Sequence, residues 1–262
     1  MTNLLLLAIL GVGTALLYGV WKTYRKVARI YQSTALTERD TKFLFNQVQA
    51  YHELMGLIRP EHPLPAMRGW AASPDFLLHV ASHAIATRPR LIVECSSGVS
   101  TIVLARCCQL NGTGRVVSLE HGPEYAQLTR EHLAEHGLEG WATVLDAPLG
   151  PHERAGGQPW YSTRGLDAER GEIDMLVIDG PPGDGARHAR YPALPVLASR
   201  LSASCAVFLD DARRTEEREI VARWTSEFPE FTSRELTAEK GCVRLLRQVI
   251  AREAPLAARR PA

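Results

Sequence analysis

An excess of charge of either sign is what this sequence lacks most plainly: Lys and Arg total 30 against 29 Asp and Glu, a formal net charge of +1. A chain so balanced gives no reason to expect a polyanionic partner, since nucleic-acid binders carry a marked basic face. Cysteine is scarce as well. Cys95, Cys107, Cys108, Cys205 and Cys242 are odd in number, form no CxxC pair and have no histidine at zinc spacing, so they read as buried thiols of a reducing compartment. Glycine is missing where a nicotinamide fingerprint needs three of them. Only Gly98 stands in the turn after the first short apolar run, which excludes GxGxxG.

What is present is organised around Leu91 to Thr101, LIVECSSGVST. A short apolar run reaches Glu94 and Cys95, Ser96-Ser97-Gly98 turns the chain, and Val99 opens an apolar-periodic segment to Leu110, which predicts strand, turn and helix. The helix start leaves backbone N–H groups aimed at whatever binds there. Four further runs also end in acids: VVSLE at Glu120, WATVLD at Asp146, IDMLVID at Asp179 and CAVFLDD at Asp210 and Asp211. In a parallel sheet those ends share one edge, where ligands of open α/β folds sit. Glu120 follows the glycine turn by about twenty residues, the spacing at which a carboxylate accepts from ribose hydroxyls. Phe231 to Leu236 and Cys242 to Leu246, joined through Gly241, predict a closing antiparallel hairpin. At 45% hydrophobic residues the 262-residue chain has enough apolar side chain for one sizeable core.

ECSSGVST, SLE, LDAPLG, VIDGPP and FLDDARR, in this order and spacing, resemble a class I S-adenosylmethionine-dependent methyltransferase, within a bacterial group whose extended form reads GW-x-x-SP, E-x-G-S-G-V-S-T, IDGPP, RYPALP and LDD. The resemblance covers roughly Leu64 to Arg247. It departs at Ser96, where the family has glycine. It implies a doubly wound, Rossmann-like, seven-stranded α/β sheet whose last strand is antiparallel. Glu94 and the turn Ser96, Ser97 and Gly98 would hold the methionine portion of the cofactor, with Ser100 capping the helix. Glu120 would take the ribose hydroxyls, and Asp146 with Ala147 would flank the adenine. The reaction implied is methyl transfer to a hydroxyl oxygen of a small or glycan-like acceptor. A membrane-tethered cofactor-binding module without chemistry, or an aminopropyl or NAD enzyme on the same fold, is the alternative.

Asp179, Asp210 and Asp211 exceed what the cofactor needs, and three hard oxygen ligands suggest Mg²⁺, as in the catechol and macrolide-sugar O-methyltransferases that the chain resembles. The plainer reading is that Asp210 and Asp211 cap the next helix and bind Arg213 or Arg214. Asp179 is the first catalytic candidate and His188 the nearest substitute for a base, in a cluster with Arg187, Arg190 and Tyr191 expected to touch the acceptor.

Leu4 to Trp21 is almost unbroken apolar sequence, as a helix about 27 Å long against a hydrocarbon core of about 30 Å. With Lys22, Arg25, Lys26 and Arg29 behind it, it predicts a single transmembrane helix with the catalytic domain cytoplasmic, and a lipid-linked acceptor becomes a candidate partner. The expected divisions are 1–26 anchor and basic flank, 27–63 helical linker, 64–250 methyltransferase domain and 251–262 disordered tail. Arg29 to Leu57 reads as a helix packed on the sheet edge or as a coiled coil. Ser73 and Pro74 read as a helix start, and Trp70 as either a core aromatic or a wall over the site. Ala147 to Arg170 reads as a long functional loop.

Overall fold

The computed structural model describes the backbone of residues 2–67 and 69–248, and the side chains there except those of 2–9, 32–40, 42 and 184. The expected tail 251–262 lies outside the described residues. The chain divides into two units, 1–48 and 49–262, and one helix, α1 (Thr2–Ile58), contributes to both.

In the first unit Leu10, Leu16, Leu17 and Trp21 are exposed. Among the described residues no helix is long and apolar enough to cross a membrane, which overturns the expected transmembrane helix. The physical reason is where charge begins. Lys22, Arg25 and Lys26 follow Trp21 directly and close the apolar stretch on that side. Gly11, Gly13, Thr14 and Gly19 dilute it further; Leu4 to Ile9 fall among the side chains not described. The single-pass, cytoplasm-facing placement falls with the anchor, and the lipid-linked acceptor loses its support.

In the second unit Ala50, Leu54 and Ile58 recur every four residues and bury one stripe of α1. The stripe belongs to the same apolar cluster as Phe76 and Leu77 of α2 (Pro74–Thr87) and Ile102 of α3 (Val99–Asn111). Among the described residues, only these last turns of the helix expected over Arg29 to Leu57 pack into a core; Leu44, Phe45, Val48 and Tyr51 are exposed. Ser73 does precede α2 with Pro74 at its first position, but its hydroxyl donates to Asp75 (2.6 Å) rather than accepting from the helix.

The sheet contains β1 (Leu91–Cys95), β2 (Arg115–Glu120), β3 (Ala142–Asp146), β6 (Ile173–Ile178), β7 (Leu201–Leu209), β8 (Phe231–Leu236) and β9 (Cys242–Arg247). Their spatial order is β3-β2-β1-β6-β7-β9-β8, parallel except for β9. This is the expected doubly wound, seven-stranded sheet with its closing hairpin. β1 is buried at all five positions because helices cover both faces of a central parallel strand. One core forms with α1, α2, α3 and α4 (Pro123–Glu135); the other includes α6 (Ala193–Leu197) and Trp224 of α7 (Thr215–Glu227).

The expected loop Ala147 to Arg170 is built instead from a small antiparallel pair, β4 (Leu149–Pro151) with β5 (Pro159–Tyr161), followed by a short helix, α5 (Arg164–Asp167). Its aromatics, Trp160 and Tyr161, pack edge to face at 5.1 Å in the second core. All five cysteines are buried and free, as their positions within strands and helices suggested.

Candidate active site

Strand ends β1, β2, β6 and β7 open onto a cleft of about 460 Å³, within the size range of small-molecule sites. At one end the turn Ser96–Gly98 enters α3. Ser96 has φ 112 and Gly98 φ 148, the region in which L residues are strained and glycine is not. The position where the resemblance has glycine is therefore one where the backbone asks for it. A Cβ on Gly98 would meet nothing within 4 Å, so the turn borders open space.

The turn is tied to β2 through Glu120. Its Oε2 accepts from Ser97 N (2.9 Å) and Ser97 Oγ (3.0 Å), and its Oε1 accepts from Gly122 N (2.9 Å). His121 Nδ1 lies 3.1 Å from the same Oε1 without hydrogen-bond alignment. Glu120 is 4% exposed and lines the cleft with most of its acceptor capacity already used.

Glu94 lies one residue inside β1 and does not line the cleft. Its Oε2 accepts from Thr101 Oγ1 (2.6 Å) and Ser118 Oγ (2.7 Å), while Oε1 has no partner among the described residues. Burial pushes this carboxyl up, and the hydrogen bonds from Thr101 and Ser118 pull it part of the way back. Ser100 lines the cleft from the first turn of α3. Asp146 and Ala147 are not brought there. Asp146 is paired with Arg130 (2.8 Å) with its side chain 67% exposed, and Ala147 is buried, its N–H donating to Glu120 O.

The other end is assembled from β6, β7 and two distant loops. Asp179 follows β6 and lines the cleft. At Gly180, next to it, a Cβ would lie too close to the Tyr161 hydroxyl, so any larger residue requires that side chain to shift. Asp210 and Asp211 follow β7; Asp211 lines the cleft and Asp210, fully buried, does not. Between them lies Arg190, 5% exposed. Its Nη2 donates to Asp179 O (2.7 Å) and Asp211 Oδ2 (2.8 Å), with Asp179 Oδ1 at 3.4 Å, and its Nη1 donates to Asp210 O (3.0 Å). Arg214 also reaches Asp211 Oδ2, at 3.1 Å, so one part of the helix-and-arginine reading of this acid is met.

Burial opposes charge on Arg190, but Asp179, Asp211, Glu217 and Asp210 outweigh it and hold the guanidinium above its ordinary pKa. Burial raises Asp179 to about 7, with Arg190 lowering and Asp211 raising it. Asp210 rises to about 8 through burial and then its two acidic neighbours; its Oδ1 accepts from Asp211 N, and Oδ2 has no partner among the described residues.

Of the cluster expected to touch the acceptor, only Arg190 reaches the cleft. His188 does not line it. The ring Nε2 lies 2.5 Å from Glu219 Oε2, which also binds Arg187, and Tyr191 donates to Glu227. These residues face α7, which the sequence signalled only through acids too distant to be paired by eye. Local reasoning also missed His121, and Lys240 in the β8–β9 turn, which lines the cleft and donates to Gly69 O (3.2 Å) and Ala71 O (3.1 Å). Those bonds carry Trp70, 76% exposed, to the cleft as a wall rather than a core aromatic.

Among the described residues no group of three or more His, Cys, Asp or Glu is placed to hold a metal ion. The Asp179 and Asp211 carboxylates contact the Arg190 guanidinium, whereas Asp210 offers it only a backbone carbonyl.

Residues 93–212 match a family described as a methyltransferase domain. No protein with a curated description matches the chain. Solved structures share the fold. The Podospora anserina methyltransferase PaMTH1 with bound SAH is 15% identical with a TM-score of 0.53, covering 76% of this chain and 88% of its own. An O-methyltransferase from Bacillus cereus in complex with SAH is 16% identical, TM-score 0.50, covering 76% and 91%. The O-methyltransferase TomG from Streptomyces achromogenes, involved in tomaymycin synthesis and solved with SAM, is 18% identical, TM-score 0.50, covering 79% and 89%.

Proposed function

We propose, from the premise that this chain is a class I methyltransferase, that it uses S-adenosylmethionine to methylate a hydroxyl oxygen of a small acceptor, glycan-like acceptors included. The observation that carries the reading is one cleft with two chemically different parts: a helix-entering turn clamped to Glu120 and, at the neighbouring strand end, the carboxylate-bearing Asp179, whose N–H donates to Cys95 O just before that turn.

S-adenosylmethionine, when bound, supplies a sulfonium whose methyl group leaves readily, so the protein's part is positioning and proton removal. The fit to the turn end is physical. Gly98 leaves room for close approach, α3 presents its N-terminal N–H groups, and Glu120 offers a hydroxyl the acceptor capacity that Ser97 and Gly122 leave unused. Asp146 reaches the adenine only if it exchanges Arg130 for it. Asp179 receives the acceptor's proton, because its raised pKa makes it a base suited to neutral solution. Lys240 ties down the backbone on either side of Trp70, which lines the cleft.

Mg²⁺ on Asp179, Asp210 and Asp211 is the finer reading that their strand-end positions raised. It is not supported by their arrangement around Arg190, and no step is assigned to a metal. Calorimetry with S-adenosylhomocysteine tests the main reading: one saturable site per chain is expected, with no heat from NAD. Binding of NAD in place of S-adenosylhomocysteine would sink it.

A further inference from the structure

We propose that Arg190 is the resident cation of the acceptor end, a positioning residue standing where a divalent ion would otherwise gather Asp179 and Asp211, so that this wall of the cleft needs no metal. The proposal rests on the methyl-transfer reading for what the wall does, but not for what occupies it.

Three observations converge. The first is coordination. The two terminal nitrogens of Arg190 face five oxygens of the kind a hard ion would use: the Asp179 and Asp210 carbonyls, the Asp211 and Asp179 carboxylates, and Glu217 Oε1 at 3.9 Å. Arginine satisfies such a shell with fixed, directional N–H donors, and it is always charged. The second is burial. Arg190, Asp210, Asp211 and Glu217 are each under a tenth exposed, and carboxylates so placed need a permanent counter-charge or a proton. The third is covalent attachment. Arg190 is held by its own chain, its Nη1 and Nη2 fastened to the backbone just beyond both β6 and β7, so a metal entering there must displace a charged, multiply bonded group. A second positive charge beside the guanidinium is repelled by it.

The consequence for the reaction is that the acceptor oxygen is not acidified by a metal. It meets a wall in which Arg190 already contacts both Asp179 and Asp211.

Mn²⁺ is the probe, followed by electron paramagnetic resonance of the full-length chain. The wild type should bind no Mn²⁺ that Asp211→Asn can remove. Arg190→Met, similar in length but uncharged, should gain one Mn²⁺ per chain, lost again when Asp211→Asn is added. A wild-type chain that binds one Mn²⁺ through Asp211 overturns the proposal. So does an Arg190→Met chain that binds S-adenosylhomocysteine, and is therefore folded, yet gathers no Mn²⁺. Should Arg190→Met fail to fold, Arg190→Lys decides: its retained charge should still exclude Mn²⁺, and uptake by that variant refutes the idea that charge holds the place. Failure of S-adenosylhomocysteine to bind the wild type, by contrast, strikes the methyl-transfer reading and leaves the Mn²⁺ result standing.

Discussion

The two ends of the cleft are built in opposite ways. The turn end is backbone chemistry: Ser97 N and Gly122 N, close to β1 and β2, donate to one carboxylate, Glu120. The acceptor end is ionic, with Arg190 binding Asp179 and Asp211 from segments that approach one another only in the folded chain. Local backbone hydrogen bonds shape a site that any chain with the same strand-turn-helix builds. A buried ion pair depends on every partner arriving, and removing one leaves the others uncompensated. The acceptor end should therefore carry what is particular to this chain.

The comparison breaks most visibly at Glu120. Glu120→Ala removes a charged acceptor and leaves two inward N–H groups without it, so S-adenosylhomocysteine binding should weaken by about 1.5–3 kcal/mol. Unchanged affinity by calorimetry would remove Glu120 from the cofactor end.

At the acceptor end Asp210→Asn sharpens the contrast through pH. The Asp210 carboxyl rises from 3.8 to about 8 on folding, so the folded chain holds a proton that the unfolded chain has released, and wild-type stability falls as pH rises between those values. The asparagine variant escapes that loss. Its melting temperature should match or exceed the wild type's, by the equivalent of about 1–3 kcal/mol above pH ~8 and by little near pH ~4, since Asp210 Oδ2 has no partner among the described residues to forfeit. A variant less stable than wild type in alkaline solution contradicts this account.

Ser96→Gly probes the turn end more gently. With φ at 112 the serine is strained, and glycine should stabilise the chain by about 1 kcal/mol in chemical denaturation without weakening S-adenosylhomocysteine binding. A destabilised glycine variant would mean that the Ser96 side chain contributes more than its backbone strain costs. The smallest effect is expected from His188→Ala. The histidine pairs with Glu219 outside the cleft lining, so S-adenosylhomocysteine affinity should be unchanged and stability should shift by no more than about 0.5 kcal/mol. A marked loss of affinity would place His188 closer to the site than its ring position indicates.

The sequence by itself determined the sheet and the turn end, because both are read from short-range signals. Apolar runs ending in Glu120, Asp146 and Asp179 mark strands of one parallel sheet, and Ser96 to Gly98 marks the point at which β1 becomes a helix. The closing hairpin was legible for the same reason, through Gly241 between two short apolar runs. Hydropathy alone misread two stretches. Leu4 to Trp21 looked long enough for a membrane, although charge enters the helix at Lys22, and Ala147 to Arg170 looked like an open loop, although Trp160 and Tyr161 bury themselves in the core. Only the tertiary structure decided the acceptor end. Composition and spacing show three acids, and three acids alone ask for a metal. Which cation answers them depends on Arg190 crossing from a loop to bridge two strand ends, and that juxtaposition comes from chain packing over distances at which local patterns carry no information.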